Sequence, residues 1–61
     1  MTTICVLIED IIDNYNVINK IENDFMCFTE YRMIENGFFE VSFLCRQEDA
    51  GAIERRLANI V

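Results

Sequence analysis

Histidine is absent from the 61 residues, which removes the commonest general base and metal ligand. Proline is absent as well, and no linker, repeat or low-complexity stretch divides the chain. Basic residues are scarce: five Lys and Arg stand against eleven Asp and Glu, for a net charge of −6 and a pI near 4.3. Affinity for nucleic acid rests on Lys and Arg neutralising phosphates, so this balance argues against a phosphate-binding surface and leaves RNA binding the less favoured reading. Acidity instead favours solubility and a basic protein partner. Long apolar runs are missing too, the longest being about five residues, with Ile4 to Ile8 as one of them. A membrane span needs about 20, and no charged segment followed by an apolar one marks a signal peptide. Three cysteines, Cys5, Cys27 and Cys45, are an odd number without Cys-x-x-Cys spacing. That usage fits a reducing compartment better than a disulfide framework. The chain thus reads as cytosolic and complete.

What remains is a strongly apolar composition, 52% hydrophobic with five Phe and two Tyr, which excludes disorder. The length allows one small domain, 1–61. A chain this short buries only about 60% of its unfolded surface and is marginally stable. Such domains commonly add a disulfide, a metal or a partner.

Residues 2–8 are β-branched and apolar and read as a first strand, with Ile4, Val6 and Ile8 facing one way and Cys5 and Leu7 the other. Apolar residues on both sides predict a strand covered on both faces. Asp13 is a suitable N-cap for a helix over 14–24, with Val17, Ile18, Ile21 and Phe25 on one side. Its four Asn residues, 14, 16, 19 and 23, are poor helix formers, so this helix depends on docking for its order.

Residues 25–46 read as a hairpin. A two-residue Asn36-Gly37 turn would pair Glu30 with Phe43 and Arg32 with Val41, placing charge on the apolar face. A three-residue loop, Glu35-Asn36-Gly37 with Gly37 left-handed, shifts the register by one and reverses every facing. Cys27, Thr29, Tyr31 and Met33 then oppose Cys45, Phe43, Val41 and Phe39 on one face. The other face pairs Arg32 with Glu40 and Phe28 with Leu44. The second register satisfies the residues better. Glu48 and Asp49 open a second helix carrying Ala50, Ile53, Leu57 and Ile60 in one stripe, with Arg55 and Arg56 towards its end, as the helix dipole favours.

The order β-α-β-β-α predicts an α+β fold: a ferredoxin-like split βαβ without its last strand, sheet order 2-3-1, both helices on one face, and the first strand parallel to the third. The absent strand would have lain against the first. Either the helix end and side chains shield that edge, or a second copy or another protein pairs with it; the open edge favours pairing.

Catalytic candidates are weak. A cysteine nucleophile needs an activating neighbour, and all three cysteines fall at strand positions expected in the core. Opposed Cys27 and Cys45 could form a disulfide if oxidised, but the reduced state is expected. Glu9, Asp10 and Asp13 could take a hard cation, yet without EF-hand spacing they read as a solvated turn. We therefore expect no catalytic residue, no metal and no cofactor. The hairpin face away from the helices is more informative. Phe28, Arg32, Ile34, Phe38, Glu40 and Leu44 there mix exposed apolar groups with charge, the composition of a contact patch. With Ile4, Val6 and Ile8 of the first strand, they form the expected partner-binding set.

Two resemblances accompany this reading. Residues 36–43, Asn-Gly-Phe-Phe-Glu-Val-Ser-Phe, resemble the octamer of RNA-recognition motifs at Gly37, Phe38, Val41 and Phe43. Asn36 stands for the basic residue, Phe39 for the small one and Glu40 for a stacking aromatic, so nucleic acid is not the expected partner. The chain as a whole resembles ACT-type regulatory domains, in which a strand leads through an Asp-x-x-Gly turn into a helix, then a hairpin and a second helix. Asp13-Asn-Tyr-Asn16 occupies the turn here, with Asn16 in place of glycine, and 48–60 the second helix. That resemblance implies dimerisation through strands and, as an alternative function, small-molecule sensing at turn 13–17. The principal expectation is a non-enzymatic regulatory module, such as a small acidic inhibitor or adaptor. It would dock on another protein, self-associate, and avoid membranes and nucleic acid.

Overall fold

The structure, a computed structural model, describes residues 1–34 and 36–61. Among them the elements run β1 (Thr2–Glu9), α1 (Ile12–Phe25), β2 (Phe28–Ile34), β3 (Phe38–Cys45) and α2 (Gln47–Leu57). The strands form an antiparallel sheet of order β1-β3-β2. The order agrees with expectation, but the direction corrects it, because β1 runs antiparallel to β3. Helix α1 carries the chain back to the starting end of β1, so β2 runs parallel to β1 without touching it. The hairpin then reverses β3 between them.

The hairpin register is the one that separates charge from core. Arg32 lies opposite Glu40, Phe28 opposite Leu44 and Met33 opposite Phe39. Ile34 pairs with Phe38 next to the tip. Gly37 is left-handed at φ 78°, and Asn36 shares that region at φ 69°. Glu35, the first residue of the expected loop, lies outside the described residues. The Gly37 carbonyl accepts a 2.7 Å hydrogen bond from the Asp10 amide, tying the tip to the β1–α1 connection.

The odd-numbered side chains of β3, Phe39, Val41, Phe43 and Cys45, are buried with Ile8, Ile18, Ile21, Cys27, Ile53 and Leu57 in a core between sheet and helices. Tyr15 stacks on Phe39, centroids 4.6 Å apart. Arg56 of α2 joins the helices, donating to Asp24 at 3.0 Å while its guanidinium lies 5.7 Å from the centre of the Phe25 ring.

Four local expectations are corrected. Cys5, expected in the core, is exposed, because its side of β1 faces away from both helices. Asp13 does not cap α1, which begins at Ile12 after an extended Ile11 without a side-chain cap. Asp13 sits in the first turn, where its charge suits the helix dipole. Cys27 precedes β2 and is buried beside the end of α1 instead of pairing in the ladder. Finally, the inner face of β2 is poorly covered. From α1, Tyr15 reaches Tyr31, and Glu22 accepts a 2.8 Å hydrogen bond from Thr29, yet Met33 is 66% exposed.

Candidate protein-docking surface

Both helices pack on one side of the sheet, so the other side is bare. Its side chains follow from strand alternation and the two registers. Thr3, Leu44 and Phe28 form one row, Cys5, Ser42 and Glu30 the next, then Leu7, Glu40 and Arg32, and finally Glu9, Phe38 and Ile34. Phe28 is 69% exposed and Leu7 is 50% exposed, while Leu44, Phe38 and Ile34 are each exposed to a lesser degree. Apolar groups therefore cluster at the two ends of this face, and apart from Leu7 its middle is polar. There Cys5 Sγ and Ser42 Oγ share a 3.2 Å hydrogen bond, and Arg32 meets Glu40 at 3.2 Å. A depression of about 190 Å³ lies between Thr3, Phe28, Glu30, Ser42 and Leu44.

The predicted partner-binding residues divide between two places. Phe28, Arg32, Ile34, Phe38, Glu40 and Leu44 come together on the bare face. Ile4, Val6 and Ile8 point the opposite way, towards the helices. Ile8 is fully buried, so β1 can offer a partner its backbone edge but not this side chain. Ile4 and Val6 are half-buried and line a groove of about 240 Å³ with Cys5, Glu54, Leu57, Ala58 and Val61. The groove runs beside the edge of β1 that β3 does not occupy.

Leu7 belongs to this bare face but was not expected there. Alternation placed it opposite Ile8, and the mistaken inference was that β1 is covered on both faces. The deciding fact, that both helices choose the same side, lies in the topology and not in the strand.

The chemistry of the site is limited. Among the described residues, no three Cys, Asp or Glu side chains converge to hold a metal ion. Cys27 and Cys45 are buried, and burial pushes both thiols up from their ordinary pKa, away from the thiolate a nucleophile needs. Tyr15 is raised chiefly because its hydroxyl donates a 2.8 Å hydrogen bond to Asp10. Each of these effects stabilises a protonated, inert form. Among the described residues no helix is long and apolar enough to cross a membrane. No protein-family model matches the chain, and no curated protein or solved structure matches it significantly.

Proposed function

We propose that this chain is a non-enzymatic docking module of the cytoplasm, a ferredoxin-like split βαβ in which the place of the last strand, beside β1, is open. Its work is to bind another protein and alter that partner's activity, as a small acidic inhibitor or adaptor does. The observation that carries this reading is the bare sheet face, with Phe28 and Leu44 at one end, Ile34 and Phe38 at the other, and the Arg32–Glu40 pair between them. Aromatic and aliphatic anchors around a few charges suit a protein contact. The depression of about 190 Å³ on this face is smaller than the roughly 300–1,000 Å³ of ordinary ligand pockets, which does not favour catalysis. The surplus of carboxylates selects a basic partner and speeds encounter with it.

The test compares the wild-type chain with Phe28→Ser/Leu44→Ser as bait in lysate of the source organism. Both changes are on exposed positions, so circular dichroism should be unchanged. The expected result is one protein retained by the wild type, lost from the variant and weakened by salt. Retention that is identical on both baits would reject this face as the docking site.

A further inference from the structure

The sheet has two free edges, and their chemistry differs. Strand β2 carries Glu30 and Arg32, charges of the kind that discourage strand addition. Strand β1 carries no charge, proline or glycine from Thr2 to Ile8, and its outer edge pairs with nothing among the described residues. Such an edge is a template for another strand. Resting on the reading of β1 as a docking edge, we infer that its occupant is a second copy of the chain, β1 against β1 antiparallel, with Cys5 on the twofold axis.

Self-pairing that keeps the helices of both copies on one side must oppose residues of like facing. It therefore centres on a residue and not between two. Centring on Cys5 sets Ile4 opposite Val6 of the second copy and Thr3 opposite Leu7, uses the whole uncharged stretch, and leaves Glu9 outside the ladder. The two Glu9 carboxylates then sit at opposite ends, about 26 Å apart along the strand at the usual rise, well beyond a Debye length of about 8 Å. Centring on Val6 would instead draw Glu9 into the ladder against Thr3. Below the strands, the groove of each copy, with Ile4, Val6, Leu57 and Val61 in its wall, meets its equivalent and is closed.

Size sets the affinity. An eight-residue edge is about 26 Å long, and the molecule's shorter extents, 18 and 16 Å, bound its depth. The flat projection is roughly 400 Å² per copy, or about 800 Å² in all, below the range of stable interfaces and within that of weak, transient encounters. The dimer is accordingly weak, with a micromolar dissociation constant. Salt strengthens it by screening two copies of charge −6 and the Glu54 carboxylate in each groove. A basic partner on the bare face shows the opposite salt dependence.

Sedimentation equilibrium up to millimolar concentration, in low and high salt, tests the inference. The wild type should dimerise more tightly in high salt. Thr3→Glu/Leu7→Glu sets like charges opposite each other at two equivalent places and should weaken the dimer roughly tenfold; Thr3→Lys/Leu7→Glu should restore it. Both positions are exposed, so neither pair disturbs the core. Diamide should link the copies through Cys5 alone: two thiols lose their hydrogens to the reagent's N=N bond as one Sγ–Sγ bond forms. Opposed strand residues lie about 4.5–5.5 Å apart at Cα, within disulfide reach. A monomer at every concentration, a dimer indifferent to the Thr3/Leu7 charge pairs, or a dimer that Cys5 does not link would each overturn the proposal. A monomer that still loses its lysate partner through Phe28→Ser/Leu44→Ser rejects the dimer and keeps the docking face. A dimer that retains no partner does the reverse.

Discussion

The side-chain amide of Asn14 donates a 3.0 Å hydrogen bond to the main-chain carbonyl of Glu9, fastening the first turn of α1 to the end of β1. Asn14 is a buried polar residue in a core otherwise built from apolar side chains. Its own amide donates to the Ile11 carbonyl, so one residue makes two of the bonds that hold the β1–α1 connection. Asn14→Ala should destabilise the fold by about 1–2 kcal/mol, since it strips a partner from a half-buried carbonyl. Asn23→Ala, on the exposed side of the same helix, should be neutral or slightly stabilising because Ala is the better helix former. Urea denaturation of the two variants checks the contrast.

Two positive-φ positions give opposite predictions. Met26 ends α1 at φ 54°, ψ 39° with its side chain in solvent. A left-handed residue other than glycine costs roughly 1 kcal/mol, and little packing is lost with this side chain. Met26→Gly should therefore raise stability by about that amount. Gly37, at φ 78°, has open space where a Cβ would stand. The cost of Gly37→Ala is then purely conformational, again about 1 kcal/mol but destabilising. Thermal melts of the two proteins should move in opposite directions.

The hairpin register was legible because only one pairing matches Arg32 with Glu40 while burying Phe39, Val41 and Phe43. Residues that carry two signals at once, charge and alternation, fix a register firmly. The direction of β1 was misread because sequence gives the order of elements, whereas direction depends on following α1 back across the sheet. Asp13 looked like a cap because its side chain suits one, but α1 already begins at Ile12, and it is Asn14 that bonds back, to the Glu9 carbonyl. The outer face of the hairpin was readable from alternation. Its continuation onto Leu7 was not, since an uncharged strand gives no sign of which side the helices take.

The cysteines should divide by reactivity. Cys5 is exposed, whereas Cys27 and Cys45 are buried. Under native conditions a thiol reagent should modify one cysteine per chain, and in denaturant all three. Burial raises the Cys27 and Cys45 pKa values, with Asp49 adding to the rise at Cys45. A thiol raised in the folded state stabilises the fold fully below its unfolded pKa, about 8.5. That contribution is lost as pH climbs through the folded value. Stability from urea titrations should accordingly be insensitive to these thiols at neutral pH and fall in alkali. Cys45→Ala should flatten the alkaline fall.

Phe43 and Leu44 are neighbours in β3 and should differ sharply under substitution. Phe43 is fully buried between sheet and helices, whereas Leu44 faces solvent beside Phe28. A domain of this length holds about 3–9 kcal/mol of stability in all, at the usual per-residue value. Phe43→Ala removes a core ring at a cost of about 3–5 kcal/mol, enough to leave much of the chain unfolded at room temperature. Leu44→Ser removes contacts that solvent already shares and should cost less than about 1 kcal/mol. Circular dichroism and urea denaturation should show Phe43→Ala with a lost or early transition and Leu44→Ser close to the wild type. Loss of structure in Leu44→Ser would mean that the bare face supports the fold itself, and its apolar residues would then not be free to serve a partner.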